Sequence, residues 1–352
     1  MITNKSHILY NKYFLAFVVL IFFGTTNAKS QQLYSYNNLD DGGYDFWFYS
    51  PEPPPPTIVP MLPSDNDLQK HMILEHDYHL RSHDWLHWKV KKEEERKKEL
   101  KPLVIFLHGA SLCGHNLKQV LRYGTLDAMD RGLQLDAFVL APQNPGGAWN
   151  PEKLMNIIEW ASRTNQDLDT TRVYAIGMSL GGYGALDLPA AYPHRIAASV
   201  SICGGATTKD IQNLNEVPIW IFHGTADVAV PISCSDRVVA AMKRKTTPQR
   251  LIYSRLIGYN HSQPARLFYM HEVYDWLFSH TLTDENRPIN KEIYIGPRNI
   301  PMAYGRMQRR GHLVSLGQRE VYAHNHLDAI EFSLYQDSIA KADSIKLLLN
   351  KN

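Results

Sequence analysis

Cysteine is scarce in this chain: Cys113, Cys203 and Cys234 are the only three in 352 residues. So few exclude a disulfide framework, although one bridge could form, between Cys113 and Cys234, and no close pair has the spacing of a zinc site. Charge of one sign is lacking too, with 37 Lys+Arg against 35 Asp+Glu and a formal net charge of +2. Such balance supplies no general field for nucleic acid, so any partner must be argued from local sites. Long hydrophobic runs are also missing. The single apolar stretch, residues 13–23 (YFLAFVVLIFF), falls short of the roughly 20 residues a membrane-spanning helix needs.

That short run has the layout of an export signal. Lys5 and Lys12 precede it, and residues 24–28 (GTTNA) offer Thr26 and Ala28 as the −3 and −1 residues of a cleavage site. The expectation is a signal peptide over 1–28 and a mature chain that is periplasmic or secreted, free of the membrane once the signal is removed. Residues 29–50 are expected to supply N-terminal strands, among them YDFWFYS at 44–50.

Residues 51–100 interrupt the pattern. PEPPPP at 51–56 requires an extended connector, because proline donates no backbone hydrogen bond. Residues 67–100 then lack both Pro and Gly and end in KKEEERKKEL, whose i,i+4 charge pairs read as a solvated helix face. Within this stretch His76, His79, His83 and His87 share one helical face, and His83/His87 have the spacing of a metal-binding pair. No Cys, Asp or Glu completes the set, so the stripe reads as a polar or packed face, and no metal or organic cofactor is expected.

From 101 to 282 strands and helices alternate. Runs rich in β-branched and aromatic residues at 102–109, 137–143, 172–179, 196–205, 218–224 and 250–258 read as buried parallel strands. Helical patterns fill 116–131, 151–163, 180–192, 235–245 and 263–280. The expected class is α/β, a doubly wound and mostly parallel sheet, with the helical insertion before its first matched strand and an extension of unknown role over 283–352.

Ligands of such sheets bind at the carboxyl ends of the strands, and the reactive residue types collect there. Gly177-Met178-Ser179-Leu180-Gly181 follows the strand RVYAI and opens a helix, the context that makes G-x-S-x-G a nucleophile elbow. A serine hydroxyl needs a base and an orienting carboxylate. Asp227 follows the strand PIWIFHG, and His261 follows RLIYSRLIG just ahead of the last helix. Asp236, the rival carboxylate, lies in the next helix. His108 opens the His108-Gly109-Ala110-Ser111 loop, where one oxyanion-hole amide belongs; the other is the N–H of Leu180.

PLVIFLHG, APQN with AWN, GMSLGGYGAL, FHGTADVAVP and GYNH together resemble the α/β-hydrolase superfamily, and within it the small secreted esterases and predicted peptidases of the prolyl-oligopeptidase and dienelactone-hydrolase type. The resemblance covers roughly half the chain. It implies a Ser179–Asp227–His261 triad, Ala110 and Leu180 as backbone oxyanion donors, and Ser111 and Trp149 at the substrate. The activity it implies is a serine esterase acting on carboxylic esters, small or oligosaccharide-borne. An ungated serine peptidase and a non-catalytic binding module on a hydrolase fold remain alternatives. Oligomeric state is left open.

Overall fold

The computed structural model describes residues 32–38, 43–51, 100–244 and 247–321. Its frame is a nine-stranded sheet: β1 Gln32–Asn38, β2 Asp45–Ser50, β3 Lys101–Leu107, β4 Phe138–Gln143, β5 Leu168–Met178, β6 Ala198–Ile202, β7 Ile219–Gly224, β8 Leu251–Leu256 and β9 Val314–Val321. The strands are ordered β8-β7-β6-β5-β3-β4-β2-β1-β9. From β8 to β4 every pairing is parallel. β2 runs antiparallel to both β4 and β1, and β9 adds a parallel edge beside β1.

Alternation along the central strands divides the core into two layers. Val104, Phe106, Tyr174, Ile176, Trp220 and Phe222 face α1 (Thr125–Asp130) and α5 (His271–Phe278). Leu103, Ile105, Leu107, Ala175, Ile219 and Ile221 face α2 (Pro151–Thr164), α3 (Leu180–Ala191) and α4 (Ser233–Met242). With both faces covered, the strands read as continuous apolar runs rather than as polar-apolar alternation. In α5 alone Val273, Tyr274, Trp276 and Leu277 are buried, each contributing about 1.5–3 kcal/mol of transfer free energy before ordering costs.

Two helical readings change in detail. Residues 116–131 do not form one helix: a 3-10 stretch, Leu117–Arg122, and α1 are separated at Tyr123 and Gly124. Gly124 has φ +97°, and a Cβ there would lie 2.0 Å from the Phe106 ring, so only glycine permits the chain to turn against β3. Likewise 263–280 begins as a 3-10 helix, Gln263–Tyr269, and becomes α-helical only at His271.

The segment after α5 packs onto the sheet and its flanking helices. Ile295, Ile300 and Ala303 are buried in the layer holding α1 and α5, with Ile289, Ile293 and Leu313 against it. Half-buried Arg287 donates to the carbonyls of Pro193, Ile196 and Ala197 at the foot of α3 and β6. The export signal, the proline-rich connector after residue 51, the 76–87 histidine stripe and the part of the extension after residue 321 lie outside the described residues. No helix among the described residues is long and apolar enough to cross a membrane.

Candidate active site

Ser179 joins β5 to α3 with φ 60° and ψ −122°, a strained conformation for a residue with a Cβ. Its surroundings hold it there. The Ser179 N–H donates to the Ile202 carbonyl at 2.8 Å, and its own carbonyl accepts from Tyr183 N–H at 3.1 Å. Glycine flanks it for steric reasons: a Cβ on Gly177 would lie 2.1 Å from the Gly181 carbonyl oxygen, and one on Gly181 1.8 Å from that of Leu107. The tight turn is thus dictated by how closely α3 enters between the ends of β3 and β5.

Asp227 and His261 come to the same sheet edge on the loops after β7 and β8. Those loops are laced together by Thr225 N–H to Leu256 and Ala226 N–H to Tyr259. His261 Nε2 lies 2.9 Å from Ser179 Oγ, and its Nδ1 lies 2.6 Å from Asp227 Oδ2. One neutral tautomer satisfies both contacts: Nδ1–H donates to the carboxylate while Nε2 accepts the serine proton. Asp227 is buried, and its other oxygen accepts from the N–H groups of Ala229 at 3.0 Å and Val230 at 2.9 Å. Asn260 and Gln263 exchange hydrogen bonds around His261 and fix its loop. The rival Asp236 instead engages the Tyr253 hydroxyl at 2.8 Å and Arg255.

Ala110 and Leu180 are the first residues of their helices, Ala110–Leu112 and α3, so neither N–H has an acceptor within its own helix. The loop bearing Ala110 abuts the elbow, since a Cβ on Gly109 would lie 3.2 Å from Ser179 Cβ. His108 sets its orientation. Its Nδ1 donates to the Gly109 carbonyl at 2.8 Å, and its Nε2 accepts from Asn144 N–H at 3.0 Å. The ring is therefore neutral, and burial lowers its pKa to about 4. The Gly109 N–H is already engaged, donating to the Tyr123 hydroxyl at 2.6 Å.

Ser111 is exposed in the same turn and hydrogen-bonds the Tyr123 hydroxyl. Trp149 requires a correction. Expected at the substrate, it is only 3% exposed; its ring packs edge-on against Tyr44 and His108, and Nε1 donates to the His108 carbonyl at 3.3 Å. An indole is large enough to fill the space beside Gly184, where a Cβ would lie 2.8 Å from its ring, so it supports the loop from behind.

Sequence reasoning overlooked Tyr123 and Gln143. Gln143 Nε2 donates to the carbonyls of Leu112 and Asn116, both at 3.0 Å, tying the Ala110 loop to the end of β4. Its position in the strand-ending APQN was the available signal. All three cysteines are free thiols. One Cys-His-carboxylate group is brought together among the described residues, Cys203, His223 and Asp227, but these atoms are already committed to neighbours within the protein, and Cys203 is pushed up to about 12 by burial.

A mostly parallel sheet with antiparallel β2, helices on both faces and a strained serine between β5 and α3 defines an α/β-hydrolase fold. No family model and no curated protein matches the sequence. Among solved structures, a thermostable esterase is 26% identical over 52% of this chain and 56% of its own, with a TM-score of 0.42. The acylaminoacyl peptidase of Pyrococcus horikoshii is 12% identical over 80% of this chain and 45% of its own, with a TM-score of 0.45. Est1E from Butyrivibrio proteoclasticus is 15% identical over 53% of this chain and 90% of its own, with a TM-score of 0.39. The chain thus spans roughly half the length of the first two.

Proposed function

We propose that the protein is an exported serine hydrolase that cleaves carboxylic esters through an acyl-enzyme intermediate. The observation that carries this reading is the continuous hydrogen-bonded path from Ser179 Oγ through His261 to Asp227. Ser179 Oγ attacks the ester carbonyl as His261 Nε2 takes its proton, and the oxyanion forms beside the N–H groups of Ala110 and Leu180. The carbon–oxygen bond to the leaving group breaks as His261 returns that proton to the departing alcohol. Water then attacks the acyl-enzyme, giving its proton to His261, and Ser179 recovers a proton as the acid is released. Asp227 holds the imidazole in the required tautomer and stabilises the imidazolium.

Soluble esters, including acyl groups carried on oligosaccharide, are the proposed substrates. The connection between β6 and β7 supports this: its 3-10 helix, Ile211–Glu216, packs by Asn213 against the Ala190 carbonyl at the foot of α3, away from Ser179. Export rests on the sequence of residues 1–28. The test is a panel of p-nitrophenyl esters of graded chain length, acetylated and feruloylated oligosaccharides, and aminoacyl amides. Ester turnover is expected; turnover of amides alone would instead identify a peptidase, and no turnover of any kind a binding module.

A further inference from the structure

Asp227 stands beside a second histidine. His223, at the end of β7, is fully buried, and its Nε2 lies 3.4 Å from Asp227 Oδ2, the oxygen that holds His261. The same Nε2 is 2.8 Å from the Val230 carbonyl, while Nδ1 is 2.7 Å from Ser235 Oγ in the first turn of α4. A carbonyl only accepts, so Nε2 carries a proton; Nδ1 lies against the Ser235 hydroxyl oxygen, which also reaches the Gly204 carbonyl at 2.9 Å. Val230 is thereby held on both sides: its C=O accepts from His223 and its N–H donates to Asp227 Oδ1.

Resting on the serine-hydrolase reading above, we propose that His223 is a positioning residue for the triad. It clamps the 227–230 loop around the carboxylate, and the positive end of its N–H dipole, engaged with the Val230 carbonyl, lies beside Asp227 Oδ2. At 3.4 Å the dipole stabilises the carboxylate without taking the direct hydrogen bond that His261 needs. A carboxylate stabilised in this way attracts a proton on His261 less strongly than one without the dipole. The titratable groups facing this pair are Cys203 at the end of β6, His261, and at longer range Asp236 of α4, itself paired with Arg255 of β8.

The test compares His223→Leu, which removes the N–H, with His223→Gln, which keeps a donor of similar reach. For the leucine variant kcat is expected to fall about tenfold, the effect of losing roughly one hydrogen bond, with KM unchanged. The titration midpoint of the His261 ring, followed by NMR and assigned against His261→Gln, is expected to rise by about half a unit, and the acid limb of kcat/KM to move with it. The glutamine variant should restore both values to near wild type. A folded leucine variant whose His261 midpoint and acid limb do not move would overturn the proposal, as would a glutamine variant no different from it. Should the leucine variant not fold, His223→Phe, which keeps a ring but removes the N–H, carries the same test: the midpoint is expected to move upward, and an unmoved midpoint overturns the proposal. The NMR titration needs no turnover, whereas failure of the hydrolase reading would appear separately, as wild-type protein that hydrolyses nothing.

Discussion

His108 holds the carbonyl oxygen of Gly109 at 2.8 Å through a ring nitrogen that can only donate there. In a planar trans peptide the C=O of one residue and the N–H of the next point in opposite directions. Fixing the Gly109 oxygen therefore fixes the Ala110 N–H. Replacing His108 with Phe preserves a ring but removes this restraint, and kcat is expected to fall on the order of 10 to 100 fold with little change in KM, approaching the effect of losing one oxyanion donor. Steady-state kinetics on a soluble ester checks it.

Acid should destabilise the fold before it protonates most carboxylates. His108, His223 and His280 are all buried with lowered pKa values, desolvation being the largest cause in each. Between the folded value and the ordinary 6.5 the unfolded chain binds more protons than the native one, so stability is complete above about pH 6.5 and falls as pH drops toward 4. For His108 alone the loss is on the order of 3 kcal/mol across that window. Urea unfolding at pH 7, 5.5 and 4.5 should show midpoints decreasing in that order, with a smaller decrease in His280→Phe.

The elbow glycines are expected to tolerate no side chain. In Gly181→Ala the new methyl would meet the Leu107 carbonyl, which belongs to the central strand and has no freedom to move aside. A loss of at least about 2 kcal/mol is expected, together with loss of activity as Ser179 is displaced. By contrast Gly146→Ala, where nothing lies within 4 Å of the added Cβ, should remain folded, its cost confined to the φ of +155° that an alanine rarely adopts. Thermal melts of the two variants separate close contact from backbone conformation.

Arg287 anchors the chain after α5 far from the chemistry. Its guanidinium donates to three backbone carbonyls at the foot of α3 and β6, so Arg287→Ala should expose unsatisfied acceptors and cost about 1–3 kcal/mol. Activity per folded molecule should remain unchanged, and limited proteolysis should cut the 283–313 segment faster than in wild type.

The strands and the positions of Ser179, Asp227 and His261 were legible because parallel sheets bury continuous apolar runs, and each reactive residue follows such a run at its carboxyl end. The structure brings those three together, together with the Ala110 loop and the Leu180 amide. Tyr123 was not legible. The apolar spacing of 116–131 fits a single helix, and the break comes from Phe106, a residue of another strand that Gly124 must pass. Trp149 was misread for a related reason: a sequence places an indole near a loop without saying on which side of the loop it packs. β9 was missed because Val314–Val321 contains Gly317 and charged residues, and its strand character comes from pairing with β1 at the sheet edge rather than from propensity.

Labelling with a fluorophosphonate probe, mapped by peptide mass spectrometry, tests the central claim most directly, because the reagent forms a stable bond only with a serine whose hydroxyl is activated by a base. Wild-type protein should carry one adduct, on Ser179; it should disappear in Ser179→Ala and fall by orders of magnitude in His261→Ala. Asp227→Asn should react slowly, at a rate reduced on the order of 10⁴. Folded wild-type protein left unlabelled, or labelling that persists undiminished in Ser179→Ala, would contradict the assignment.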